Sequence, residues 1–375
     1  MRKSSIVAFS PCASYDASLA VSLDKLIGHF NGWNALVKPG QKVLVKPNLL
    51  ADAAPEKAVT THPELVRQVI RGLKSAGASV QVGDSPASAV TLERVWRITG
   101  IQEICAAENV PLISFEQSGT KPIERDGFAF AVANAVMEAE LIVNLPKIKS
   151  HGLTTMTAAT KNFYGTIPGY QKAQLHQAYP RPVKFCRLLR AIYDVMPPSF
   201  SIADGVIGME GEGPSNGHPI PLGFLAASPD AIALDLALCQ ALGVDARRVP
   251  YLADCLTPDD AGKLFDLRGA MPVVKRFRAP AGGAHMMRFI PEPLFRLAAP
   301  FAWIRPAFNE KCISCGRCVA ACPAKALTVE KGQRPVLTPR RCIACCCCHE
   351  VCPAQAIRMR CSPLLRLMGV FRDLK

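Results

Sequence analysis

Cysteines carry the first chemistry in this chain. Cys312, Cys315, Cys318 and Cys322 stand in a C-x2-C-x2-C-x3-C-P run closed by Pro323. Thirty residues on (342 minus 312), Cys342, Cys345, Cys348 and Cys352 repeat it, closed by Pro353. This spacing holds iron–sulfur clusters in bacterial ferredoxins: three thiolates fit the corners of one cubane inside a tight loop, and the fourth turns to the other cluster. The expected sets are Cys312, Cys315, Cys318 with Cys352, and Cys342, Cys345, Cys348 with Cys322, for two 4Fe–4S clusters. Zinc requires only two separated C-x2-C pairs, and a disulfide framework requires a secreted context of which the sequence gives no sign. Within the second run, spacing selects Cys345 and Cys348 as ligands. Cys346 and Cys347 are left as spare thiols, alternative ligands or a redox pair, and adjacent cysteines bridge only under strain.

A second set of reactive side chains lies in the first 215 residues, just after predicted strands. These are Lys46 and Asn48, Asp84, the run Lys147, Lys149, His151, then Lys161, and finally Asp204 and Glu210. In open α/β sheets, ligands bind beyond the carboxyl ends of the strands, so these positions are expected to converge on one cleft. Lysines and a histidine suit a carboxylate or phosphate, while acids move protons or bind a cation. His151, Lys147, Lys161 and Asp204 are the candidate catalytic residues. Lys46, Asn48, Asp84, Lys149 and Glu210 are the candidate substrate-binding residues. The glycines at 205, 208, 211 and 213 permit close backbone approach to a ligand, but no helix start follows them as a dinucleotide fingerprint requires.

The elements that must position these residues alternate. Residues 5–9, 41–45 and 79–82 read as strands, and 17–30 and 61–75 as amphipathic helices, the latter with Pro63 in its first turn. Further strands are expected at 111–115, 128–132, 140–144, 201–203 and 222–226, with helices at 153–163, 183–195 and 231–242. Strands alternating with helices of this length indicate α/β architecture. The fold class is therefore α/β: a large mixed, mostly parallel sheet domain, followed by a small α+β bacterial-ferredoxin-like domain. The expected boundaries are 1–261 for the first domain, 262–305 for a basic Pro/Gly-rich linker, 306–360 for the cluster domain and 361–375 for a basic tail.

The 375 residues are 49% hydrophobic and 20% charged, which suits a globular protein with a sizeable core. Sixteen cysteines imply a reducing compartment, and the apolar run after Ser5 is too short for a signal peptide, so a cytoplasmic location is expected. No stretch reaches the length of a membrane span, although the apolar, basic segment 286–305 could touch an anionic membrane face. Residues 1–261 hold 24 basic and 24 acidic residues, whereas 262–375 hold 20 and 6, so the whole formal +14 lies in the last third. Part of that excess offsets anionic clusters, and the rest suits an acidic electron donor or acceptor protein. No nucleic-acid partner is expected, since the basic residues are scattered.

These residues resemble the family catalogued as domain of unknown function 362, in the form fused to a two-cluster ferredoxin domain. The matching pieces are Lys46-Pro47-Asn48, Thr61-His62-Pro63, Gly83-Asp84-Ser85, the run Leu145 to His151, and Thr160-Lys161-Asn162 with Gly165. Asp204-Gly205, Gly208 to Gly211, Gly213-Pro214, and Ala227 to Asp230 with Asp235 complete the set. The resemblance implies a shared α/β domain and an iron–sulfur protein, with no settled reaction. The function expected is electron relay through two clusters to or from a small acidic substrate in the α/β cleft. Its alternatives are a non-catalytic carrier or docking subunit, and a non-redox enzyme with structural or regulatory clusters.

Overall fold

The computed structural model describes residues 4–87, 89–253, 255–256, 265–279, 301 and 303–367. Its frame is a ten-stranded mixed sheet. The strands are β1 (Ser5–Pro11), β2 (Lys42–Pro47), β3 (Ser79–Asp84) and β4 (Leu112–Ser114), then a separate hairpin of β5 (Thr120–Arg125) and β6 (Phe128–Ala133). They continue with β7 (Leu141–Leu145), β8 (Lys147–His151), β9 (Thr155–Thr157), β10 (Ser199–Glu210), β11 (His218–Ser228) and β12 (Phe265–Arg268). The order is β12-β1-β11-β10-β7-β2-β3-β4, with β8 and β9 added beside β10. From β10 through β7, β2 and β3 to β4 every pairing is parallel, whereas β11 runs antiparallel to both β10 and β1.

Both faces of this sheet are covered. Val43 and Val45 of β2 point into one apolar layer and Leu44 into the other, the period-2 alternation of a strand buried on both sides. The helix Pro63–Ser75 covers the first layer with Leu65, Val66, Val69, Ile70 and Leu73. Pro63 opens it without wasting a donor, and His62 Nδ1 accepts from Glu64 N–H at 3.2 Å. On the other face lies the helix Ala231–Leu242, buried along nearly its whole length. Asp230 caps it by accepting from Ile232 and Ala233 N–H, and left-handed Gly243 ends it.

Several expectations from the sequence change here. Residues 147–151, expected just after a strand, are themselves a buried strand, and 153–163 holds β9 and the short helix Ala159–Asn162, not one long helix. The stretch read as linker begins inside the first domain, because β12 pairs parallel to β1 at the sheet edge. Met271, Val274 and Phe277 then pack on the core. The cluster domain is framed by β13 (Ile304–Phe308) paired with β16 (Ile357–Cys361), around a small hairpin of β14 (Leu327–Thr328) and β15 (Val336–Leu337). The basic tail opens with the helix Pro363–Leu367. Residues 280–300, which include most of the proposed membrane-facing segment, lie outside the described residues. Among the described residues no helix is long and apolar enough to cross a membrane.

Candidate functional site

The thirty-residue repeat of cysteines is also a repeat of backbone. Left-handed φ values occur at Ser314 and Ala344, at Gly316 and Cys346, and at Lys325 and Gln355, each pair thirty residues apart. Each tight loop leads into a one-turn helix, Arg317–Ala320 or Cys347–Glu350. The fourth cysteine of each run accepts a backbone N–H on its sulfur, Cys322 from Ala326 at 3.2 Å and Cys352 from Ala356 at 3.3 Å. Two small apolar hollows result. One is walled by Cys312, Cys315, Cys318 and Cys352, the other by Cys342, Cys345, Cys348 and Cys322 with Cys346 beside them. Four thiols, apolar walls and N–H donors aimed at sulfur are what an iron–sulfur cluster requires, so these residues fit the group.

In the first domain, Lys147 and Asp204 sit in a closed knot. Lys147 Nζ donates to Asp204 Oδ2 at 2.9 Å and to Tyr15 Oη at 2.8 Å, and Tyr15 Oη donates to Asp204 Oδ1 at 2.6 Å. His62 N–H donates to Asp204 Oδ2 at 3.0 Å, and the imidazole stacks on the Tyr15 ring with centroids 3.6 Å apart. Burial pushes the Lys147 ammonium pKa down, and the carboxylate of Asp204 works against that push. The donors and acceptors of this knot satisfy one another, and none of its members lines the interdomain cavity described next.

That cavity, of about 80 Å³, lies where the cluster domain meets the first domain. From the first domain it is lined by Asn48, Asp84, Lys149, Thr157, Lys161, Asn162, Tyr164, Lys172 and His176. From the cluster domain come Ala321, Cys347, Glu350 and Val351. Asp84 is held from behind by Lys46 Nζ at 2.6 Å and by Leu49 N–H at 2.7 Å. A Cβ on Gly165 would strike that pair, 2.7 Å from Lys46 Nζ and closer still to Asp84 Oδ1, which explains a glycine here. Lys149 donates to Val59 O at 2.7 Å, and Lys172 to Ser85 O and Ile167 O, both at 3.0 Å. Lys161 rides the short helix Ala159–Asn162, whose start is fixed by Asp235 accepting from Ala159 and Thr160 N–H. Its ammonium has no hydrogen-bond or ion-pair partner among the described residues.

Electrostatics in the cavity follow from burial. It drives the pKa of Lys161 down and that of Lys149 well down, and it lowers Lys172 to about 8. His151 sits just behind the wall. Its Nδ1 accepts from Leu153 N–H at 3.0 Å, so the proton is on Nε2, 3.1 Å from Glu350 Oε1. Burial lowers the His151 pKa to about 3, making it a neutral donor. Burial works to raise the Glu350 pKa, yet the His151 hydrogen bond and the Lys161 charge outweigh it and hold it at about 2. On the module side, the Cys347 thiol donates to the sulfur of Cys345, which raises Cys347 and lowers Cys345.

Comparison with known proteins places this architecture. The family described as a domain of unknown function, DUF362, matches residues 43–240. The chain belongs to the DUF362 family. Residues 311–356 match a 4Fe-4S dicluster domain, so this DUF362 member is also an iron–sulfur protein. A thylakoid-associated protein of Synechocystis is 36% identical over 243 residues, covering 64% of this chain and 75% of that protein. Among solved structures, the lactate racemase apoprotein of Thermoanaerobacterium thermosaccharolyticum has a TM-score of 0.41 at 14% identity, over 60% of this chain and 54% of that one. A structural-genomics target from Thermotoga maritima has a TM-score of 0.37 at 15% identity, over 59% and 57%. The chain spans little more than half of either structure, and likeness this remote carries no argument about activity.

The polar motifs of the DUF362 domain thus separate into groups. Asn48, Asp84, Lys149 and Lys161 line the interdomain cavity, with Lys46 and His151 directly behind its wall. Lys147 and Asp204 are in the knot. Glu210 lies elsewhere, accepting from Arg278 N–H at 2.9 Å beside a wider cleft. Sequence reasoning missed Glu350, Lys172, His176, Tyr164 and Thr157. Of these only Glu350 carried a signal: it is an acid between Cys348 and Cys352 in a strongly basic segment.

Proposed function

We propose that this DUF362 protein is an oxidoreductase in which two 4Fe–4S clusters relay electrons between a partner protein and a small acidic substrate held in the interdomain cavity. The clusters are assigned to Cys312, Cys315, Cys318 with Cys352, and to Cys342, Cys345, Cys348 with Cys322. When bound, they supply one-electron chemistry at low potential. One observation carries the reading: Cys347, between the assigned ligands Cys345 and Cys348, lines the same cavity as Lys161. On this reading the second cage stands one side chain away from a lysine-lined pocket. The first cage, with Cys315 exposed, is the natural entrance for electrons from an acidic protein. Within the cavity Lys161 orients an anion, Glu350 and His151 fix the wall between the domains, and Lys172, held near 8, can exchange a proton close to neutral pH. Sixteen cysteines favour a reducing compartment, and the cytoplasm is the location proposed.

Anaerobic preparation should yield about eight irons per chain, the content of two cubanes. Chemically reduced protein should then be reoxidised by its acid substrate, followed through cluster absorbance. Equal turnover by a variant lacking all eight ligand cysteines would sink the relay. A second reading, a docking or carrier subunit, is favoured by the thylakoid association of the Synechocystis relative. It would be preferred if cluster-loaded protein exchanged electrons with a partner protein and with no small acid.

A further inference from the structure

The cavity wall has more hydrogen-bonding capacity than it uses. Thr157 is 4% exposed, and its hydroxyl has no partner. Asn162, 3% exposed, leaves its Oδ1 unpaired while its Nδ2 donates to Asn144 Oδ1 at 2.7 Å. Asn48 Oδ1 is also without a partner. Buried polar atoms are ordinarily paired, and leaving one unpaired is costly. Three such atoms around one cavity, beside the unpaired Lys161 ammonium, are groups that a polar anionic ligand would satisfy. With Lys46 behind Asp84 and Glu116 facing Lys172 counted in, four lysines meet three carboxylates, Asp84, Glu116 and Glu350, which leaves one positive charge in excess. Lys149 and Lys172 already donate to backbone oxygens, so a single anionic group is matched by a single uncommitted cation. Against roughly 10–15 Å³ per water, the cavity of about 80 Å³ admits about five to eight non-hydrogen atoms.

We propose that the cavity binds a small organic acid with one carboxylate and at least one hydroxyl or amino donor. Lys161 pairs with the carboxylate, Thr157 donates to it, and the Asn48 and Asn162 oxygens accept from the donor group. This rests on the reading above in that the same cavity serves the relay. A monoanion is favoured over phosphate, whose second charge would meet Glu350 with no further free cation.

The test is calorimetric titration of the full-length, cluster-loaded, oxidised protein with glycolate, acetate and inorganic phosphate. Glycolate should bind saturably, acetate about tenfold more weakly for want of a donor, and phosphate more weakly than glycolate. Lys161→Met should weaken glycolate at least about thirtyfold, with Lys161→Arg recovering most of it. Thr157→Val, an isosteric change that removes an unpaired hydroxyl, should weaken it about fivefold with iron content and stability intact. No saturable heat from glycolate, phosphate binding the tighter, or unchanged glycolate affinity in Thr157→Val would each overturn the proposal, the last even if Lys161→Met fails to fold. Because no electron transfer is read, glycolate binding with no reoxidation of reduced clusters by any acid would defeat the relay and leave this site standing. Relay without glycolate binding would do the reverse.

Discussion

The two cysteine runs share a backbone but not a task. Gly316-Arg317 in the first corresponds to Cys346-Cys347 in the second, and Ala320 to Glu350. The first run uses its outward position for attachment. Arg317 grips Asp52 of the α/β domain with both nitrogens, at 2.7 and 2.9 Å, and Arg94 shares that carboxylate. The second run uses the equivalent positions to enter the cavity with Cys347 and Glu350. A near-symmetric pair of cages is thereby docked asymmetrically, with one half anchoring the module and the other building the site.

Breaking one cage at a time tests that division most severely. Cys315→Ser and Cys345→Ser should each cost about four of eight irons, counted chemically on anaerobic protein. Only Cys345→Ser should alter anion binding in the cavity, and equal loss of binding from both would erase the asymmetry. Next in size is Glu350→Ala, which leaves His151 and Lys161 facing no carboxylate. Because His151 is neutral, the loss is that of a hydrogen bond to a charged group, about 2 kcal/mol. Arg317→Ala should cost about half that in denaturant unfolding, because Arg94 still neutralises Asp52 and Arg317 is itself partly exposed.

A third effect is a pH dependence. His151 and His176, held at about 3 and about 4 by burial, are neutral in the folded protein and ordinary histidines when unfolded. Their folded pKa values lie below the unfolded value near 6.5. The unfolded chain therefore binds more protons through that window, and stability falls as pH drops below it. On the order of 2 kcal/mol per histidine should be gone by pH 5. His176→Phe, which preserves the stack on Phe185, should flatten that limb by its share. An unchanged slope would show that His176 does not titrate as described. The smallest effect is expected from Cys346→Gly, which restores at this left-handed position the residue found in the first run. It should shift stability by less than about 1 kcal/mol and leave iron content unchanged. A drop in iron would make Cys346 a ligand and end its equivalence to Gly316.

What the sequence disclosed follows the range over which each signal acts. The cysteine spacing and the thirty-residue repeat are local patterns, so they could be read directly. The parallel strands β2, β3 and β7 announced themselves through apolar runs bounded by Gly and Pro. In contrast, β12 hides in a Pro- and Gly-rich stretch because an edge strand of four residues needs little apolar content. β8 is not legible as a strand because Lys147 and Lys149 look solvated in sequence. They are buried only because Asp204, 57 residues away, and Val59 O, 90 residues away, accept their hydrogen bonds. For the same reason the knot and the cavity could not be told apart, as both are made of Lys, Asp and His after strands. Glu350 and Lys161 meet only when two separately legible domains dock, and no local pattern encodes that contact.

The cavity wall has one more implication, because it is shared. Ala321, Cys347, Glu350 and Val351 all belong to a small module, and in modules of this size metal binding is commonly folding free energy. A chain whose module had not folded around iron would have only half a pocket. Iron loading and ligand affinity are then linked quantities, and linkage is reciprocal: whatever occupies the pocket must slow the loss of iron by the same free energy that iron adds to its binding.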